Sequence, residues 1–377
     1  MQKRIKIVSV SILLVILLIG IIVINSNSNN KYSFTQDGIK YALTLDGEKA
    51  TSFPSKGMYK AQVTCVGADG KWLYDEWKLA IENITGDISC DINFSTIVKT
   101  DLNDYIIRLS GTMQGTGRVV NENGYRYEGK NPNNYIRFNN EYWRIIGVFE
   151  SASHGVNGKN LVKIIRAEPL DWLAWDKSNK NDWKVASLNS LLNGAYYNAQ
   201  DGTSSGYCYG MSTGATANCD YTKRGIQSDY REMIANVTWY LGGYSNDSAT
   251  AESFYRYERG TTVYSGRPTS TTGYIGLMYP SDYGYSVLSS SCVRTTNLSS
   301  YNTATCAGQS WLYGKGKEWT LMPYSSNNSN VFSIFRLSIS DVFAYQGYGF
   351  RPVLYLDSSV FLYDGDGSLE NPYIIGM

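Results

Sequence analysis

A chain of 377 residues with a formal net charge of +1 is too long for one ordinary domain. Its charge balance gives no reason to expect a polyanion partner, so no nucleic acid is expected among its ligands. Charged residues make up only 18%, and 32 tyrosines take much of the missing share. With abundant Asn, Ser, Thr and Gly, this composition suits a binding surface, or plain Tyr-rich β structure. The six cysteines show no Cys-x-x-Cys spacing and there is a single histidine, so disulfides are expected in preference to zinc. Local pairing would give Cys65–Cys90, Cys208–Cys219 and Cys292–Cys306.

Met1–Lys6 is basic, and Ile7–Ile24 is an uncharged, mostly aliphatic run of a length that can cross a bilayer as a helix. An Asn/Ser tract follows. The basic flank places the N-terminus in the cytoplasm and the bulk of the chain outside. Residues 1–30 therefore read as a cytoplasmic tip and transmembrane signal anchor in the cell membrane, with cleavage near Ser26 as the alternative. Residues 31–98 read as a small all-β stalk, with Asp46-Gly47 and Asp69-Gly70 as hairpin turns. Residues 99–117 read as a helix (Leu102, Tyr105, Ile106, Leu109, capped at Thr100 or Asp101) and a Gly-bounded linker.

Residues 118–377 read as an α+β head. Asn139-Asn140 joins two strands, Ile136–Phe138 and Tyr142–Ile146. Helices are expected from Asn181 or Asp182 to Gly194, from Ser228 to Leu241 and from Ser248 to Arg259. Pro280–Ser286 reads as a turn-rich segment. The closing run Gly347–Leu356 and the earlier run Tyr135–Phe149 are expected to be strands of this one domain, with Arg351 buried and paired.

Several runs occur in a suggestive order: Trp143–Phe149, the helix carrying Trp183, Leu188, Leu192 and Asn193, Tyr264–Thr269, Gly276–Tyr285, Trp319–Ser325 and Gly349–Leu356. Together they resemble an uncharacterised group of signal-anchored surface proteins of gut-dwelling Gram-positive bacteria. More distantly, the head is similar to C-type-lectin-like and formylglycine-generating-enzyme-like domains, which also close on a Gly-Phe-Arg strand. That resemblance implies helices laid against a mixed, loop-rich β core, with Gly349-Phe350-Arg351 in the closing strand and Ile136–Ile146 as its neighbour. The enzyme branch relies on reactive cysteines, and the nearest candidates here, Cys292 and Cys306, look like the two ends of a pinned loop.

Candidate chemistry is sparse. Asp364, Asp366, Ser368 and Glu370 offer oxygens at alternating positions, as a calcium loop does, although a Gly/Asp turn is the preferred reading and no other cofactor is implied. His154 reads as a solvated loop residue and not as a triad base. Asp171, Asp176 and Asp182, interleaved with Trp172, Trp175 and Trp183, could be sugar-binding carboxylates, but caps and surface groups are the plainer account. Tyr255, Tyr257, Asp282, Tyr283 and Tyr285 combine rings with polar groups and form the proposed ligand-binding set. Arg256, Glu258, Arg259 and Arg267 read as a structural ion-pair network. No catalytic residues are assigned. The expectation is non-catalytic recognition or adhesion of a glycan or protein ligand at the cell surface. The rival classes are a cell-envelope enzyme and a purely structural surface protein.

Overall fold

The computed structural model describes residues 6–7, 32–56, 59–74, 76–210, 217–313 and 316–377. The chain is mostly β, with 39% strand and 14% helix, which corrects the α+β, C-type-lectin-like expectation. The expected transmembrane segment lies, apart from Ile7, outside the described residues. Lys6–Ile7 is a short strand against Lys78–Glu82, and no described helix is long and apolar enough to cross a membrane.

Two compact units divide at Lys99/Thr100. In the first, Phe34–Gln36, Ile39–Leu45, Ser89–Thr96 and Tyr59–Val66 form a sheet in that order, with Glu48–Ala50 paired on Ile39–Leu45. Alternation decides the inward face: Ile39, Tyr41 and Leu43 are buried on one strand, and Cys90, Ile92 and Phe94 on its neighbour. Asp46-Gly47 is a hairpin with both residues at positive φ (49° and 89°). Asp69-Gly70, expected as a second such turn, instead opens the strand Asp69–Leu73. Cys65 and Cys90 sit directly opposite each other on antiparallel strands, Cα atoms 4.1 Å apart, and are bonded. The other two disulfides are Cys208–Cys219 and Cys292–Cys306.

The second unit starts earlier than the linker reading places it. Thr100–Asp101 pairs with Phe361–Leu362, and helix Leu102–Arg108, capped by Asp101, buries Leu102 and Ile106. Asn139 and Asn140 both take positive φ and make the tight hairpin between Tyr135–Phe138 and Glu141–Phe149. Beside Glu141–Phe149 lies Leu161–Arg166, and beside that Val353–Tyr355.

The closing run Gly347–Leu356 is not one strand, and it does not pair with Ile136–Ile146. Gly347–Phe350 pairs with Asp171–Ala174 in a second, five-stranded sheet, whereas Val353–Tyr355 pairs with Leu161–Arg166 in the first. Pro352 falls at the break, where it has no N–H to give a ladder, and its carbonyl accepts from Arg166 N at 3.0 Å. The parallel neighbour of Tyr135–Phe138 is Tyr373–Gly376. Arg351 is buried at the switch point. Its Nε donates to Glu318 Oε1 at 2.5 Å, and its Nη2 donates to Glu318 Oε2 at 2.9 Å and to Leu312 O at 3.0 Å.

The expected helices are shorter than their apolar spacing suggests. Asn181–Gly194 becomes a 3₁₀ turn (Trp183–Val185), an α turn (Ser187–Leu191) and a π turn (Leu192–Tyr196). Ser228–Leu241 is helical only at Ser228–Arg231; Val237–Tyr240 is a strand paired with Ser270–Gly273. Val, Thr, Trp and Tyr are good strand residues, and a partner strand decides the matter. The third helix is Ala251–Glu258, capped by Thr250. Pro280–Tyr285, read as a turn, is a helix with every residue buried.

Candidate functional site

Helices Ala251–Glu258 and Pro280–Tyr285 pack closely. A Cβ on Gly284 would stand 2.6 Å from that of Ala251, so only glycine fits this crossing. These two helices carry all five residues of the proposed ligand-binding set, but they do not present them together. Tyr283 turns away: it is buried beside Tyr301 and donates to Leu337 O at 2.7 Å. Tyr257 stacks on Tyr244, ring centroids 4.0 Å apart. Tyr255, Asp282 and Tyr285 do converge, around Arg126. Asp282 and Tyr285 are buried and only Tyr255 is partly exposed, so the five do not form an open surface site.

What they surround is a buried charge cluster. Arg126 Nη1 donates to Asp282 Oδ1 at 2.9 Å, and Lys163 Nζ to Asp282 Oδ2 at 2.5 Å. The same Oδ2 accepts from Tyr279 N. Arg126 lies between the rings of Phe149 (4.5 Å) and Tyr285 (4.7 Å), with Nε on the carbonyls of Glu122 and Asn123. Glu258 accepts from Ser281 N and Oγ and from Arg259 Nη1. Burial pulls the Lys163 ammonium down to about 8, against the opposing pull of Asp282; Arg126 and Arg259 add to the depression. Burial works against the Asp282 carboxylate, yet Lys163 and Arg126 hold it below its ordinary value. Burial raises Glu258, opposed by Arg259. Both carboxylates are engaged by fixed donors, which is the arrangement of a structural network and not of a poised general acid or base.

Sequence reasoning missed Arg126 and Lys163. The available signal was a lone lysine inside the aliphatic strand Leu161–Arg166, where side chains on both faces are buried. Glu128 was missed as well. It accepts from Arg118, Ser289 and Arg294, and so ties the loop closed by Cys292–Cys306 to strand Tyr125–Gly129.

The remaining candidates resolve individually. Asp366 Oδ1 accepts from Ser368 N at 2.9 Å and Ser368 Oγ from Asn371 N at 3.1 Å, so part of the proposed calcium set is spent within the turn. Among the described residues, no group of three or more His, Cys, Asp and Glu side chains is placed to hold a metal, Asp364, Asp366 and Glu370 included. Asp176 caps three backbone N–H groups, of Ser178, Lys180 and Ser187. Asp182 lies 3.7 Å from Arg267.

His154 is fully buried in the turn Ser151–His154, which corrects the solvated-loop reading. Its Nδ1 accepts from Val156 N at 3.2 Å, which leaves Nε2–H to donate to Phe149 O at 3.1 Å. Burial lowers its pKa from 6.5. The unfolded chain therefore takes up a proton near 6.5 that the folded chain refuses until lower pH, and stability falls as pH drops through 6.5. Urea midpoints at pH 7.5 and 5 should show that fall in the wild type and a flatter response in His154→Gln.

The open surface lies elsewhere. A depression of about 500 Å³ is lined by Asp171, Asn218, Asp220, Thr222, Lys223 and Arg224. Arg224 Nη2 donates to Asp171 Oδ2 at 3.1 Å and Nη1 to Leu170 O at 3.3 Å. Asp220 is held below its ordinary pKa chiefly by the Thr222 backbone N–H. The Cys208–Cys219 bond fixes the chain beside Asn218. The next residue of the same strand, Trp172, points to the opposite face and is 50% exposed. Its indole lies over Gly349 and Gly316, where added Cβ atoms would each stand 3.5 Å from the ring. Comparison with known protein families, with characterised proteins and with solved structures finds no match to this chain.

Proposed function

We propose that the chain is an extracellular, non-catalytic recognition protein that binds a glycan at the strand Asp171–Ala174. The observation that carries this reading is Trp172, a half-exposed indole resting on glycine backbone, one residue from a depression rich in hydrogen-bonding side chains. An indole face supported from below offers a flat apolar platform for the C–H face of a sugar ring. Asp171–Ala174 is the edge strand of its sheet, so an extended glycan that rests on Trp172 and wraps over this edge meets Asp171, Asn218, Asp220 and Arg224 on the other face, which supply acceptors and donors for its hydroxyl groups. Three disulfides suit an oxidising, extracellular setting.

A glycan array probed with the full chain should give a defined set of binders. Trp172→Ala should weaken them by about tenfold, an effect typical of losing one aromatic contact, with the melting temperature unchanged. Binding that survives both Trp172→Ala and Arg224→Ala at full strength would remove this site.

A further inference from the structure

The buried cluster described above contains more positive charge than its carboxylates answer. Arg126, Lys163 and Arg259 face Asp282 and Glu258, so three cations share two anions in a region closed to solvent apart from one edge. Three donors in it have no hydrogen-bond partner among the described residues: Arg126 Nη2, Arg259 Nε and the Tyr355 hydroxyl. Arg126 and Tyr355 are each 1% exposed.

Rings tie these groups to one place. Tyr255 lies 3.6 Å from the Arg259 guanidinium and 5.6 Å from that of Arg126. Tyr279 lies 5.5 Å from Arg259 and 4.6 Å from Lys163 Nζ. Phe149 lies 5.7 Å from Lys163 and 4.5 Å from Arg126. Cations and rings thus alternate around a closed triangle. Tyr355 joins it from strand Val353–Tyr355, packed on Phe149 at 6.1 Å and 5.7 Å from Lys163. Its hydroxyl feels the charges of Arg259, Asp282 and Arg126 together.

A water molecule answers this arrangement poorly. It accepts only two hydrogen bonds where three donors stand open, and it carries no charge to answer the surplus. An anion can accept from several donors at once and cancels the surplus charge, which in a dry interior is the larger cost. Solvent touches the triangle only at Arg259, 13% exposed at its side chain, and at the partly exposed Tyr255; the rest is buried.

We infer that Arg126 Nη2, Arg259 Nε and the Tyr355 hydroxyl form a binding site for a small monovalent inorganic anion of halide type. The site is independent of the glycan surface at Asp171–Ala174. The ion completes the charge balance of the two-helix packing and locks Tyr255 and Arg259 over the cluster.

Bromide tests this directly. Crystals of the full chain soaked in sodium bromide should show an anomalous peak within hydrogen-bonding reach of all three donors. In solution, chloride or bromide should raise the melting temperature above that in methanesulfonate at equal ionic strength. Tyr355→Phe removes one donor and keeps the ring, and should weaken the apparent halide affinity by about tenfold, the usual effect of one lost hydrogen bond to a charged group. Bromide found only on the outer surface overturns the inference. So does a halide effect on melting that is absent, or that is unchanged in Tyr355→Phe.

Discussion

Glu318→Ala is expected to cost about 3–5 kcal/mol, the usual penalty for stranding one member of a buried ion pair. Glu318 takes two hydrogen bonds from Arg351, and both residues are about 1% exposed. Arg351 Nη1 is already without a partner among the described residues, so removing the carboxylate leaves the guanidinium with only the Leu312 carbonyl of its present acceptors. Arg144 stands near enough to matter. Burial lowers its pKa to about 10, the Tyr135 side chain opposes that, and the charge of Arg351 adds to it. Without Glu318 the two guanidiniums repel each other in a region with little solvent to screen them. Urea unfolding of Glu318→Ala should show the loss. The double variant Glu318→Leu/Arg351→Met should recover most of it, because a buried pair replaced by apolar groups of similar volume is often neutral. A single-variant loss below about 1 kcal/mol would mean that Arg351 finds water or another acceptor.

In halide-free buffer, Asp282→Asn should be comparably severe, at about 3–5 kcal/mol, and Lys163→Met should be mild, at about 1 kcal/mol or less. The asymmetry follows from the charge count. Asp282 is shared by Lys163, Arg126 and the Tyr279 N–H, so its loss strands two cations together. Lys163 is one of three cations facing two carboxylates, and its ammonium is already pulled to about 8 from an ordinary 10.5. Its loss relieves repulsion and leaves Asp282 paired with Arg126. The pH dependence has a definite sign. Between about 8 and 10.5 the unfolded chain holds a proton on Lys163 that the folded chain has released, so the wild type gains stability as pH rises through that window. Lys163→Met should lack this gain. Equal losses for the two substitutions, or parallel pH profiles, would contradict the charge count.

Features set by a few neighbouring residues were legible in the sequence. Asp46-Gly47 and Asn139-Asn140 are tight turns because each needs two residues at positive φ, which Asp, Asn and Gly supply cheaply. The three disulfides join cysteines only 25, 11 and 14 residues apart. Arg351 could be read as buried and paired because a lone arginine in a hydrophobic run near a Pro has few other tolerable fates. Features set by distant partners were not legible. Val237–Tyr240 carries apolar residues that satisfy helical spacing, and it becomes a strand only because Ser270–Gly273 is there to pair with it. Pro280–Tyr285 looks like a polar, Gly-containing turn. It is buried because Gly284 admits Ala251 and because Asp282 meets Lys163, a residue 119 positions earlier. The closing run was assigned the wrong neighbour because strand order depends on the whole topology, and one Pro suffices to move half of a run into another sheet.

That topology places the end of the chain beside its early parts throughout the second unit. Phe361 and Leu362 pair with Asp101 and Thr100, Tyr373 with Ile136, and Tyr355 with Lys163, while Phe350 pairs with Asp171. During synthesis the early strands emerge long before these partners, and unpaired strand edges are the hazard of any such delay. Local hairpins such as Tyr135–Phe138 with Glu141–Phe149 need only their own residues, whereas completing either sheet needs Gly347–Phe350 and Val353–Tyr355, a step slowed by the long loops that have to close. A stop codon shortly before Gly347 would therefore spare the local pairings but leave Asp171–Ala174 and one edge of Leu161–Arg166 without the strands that cover them.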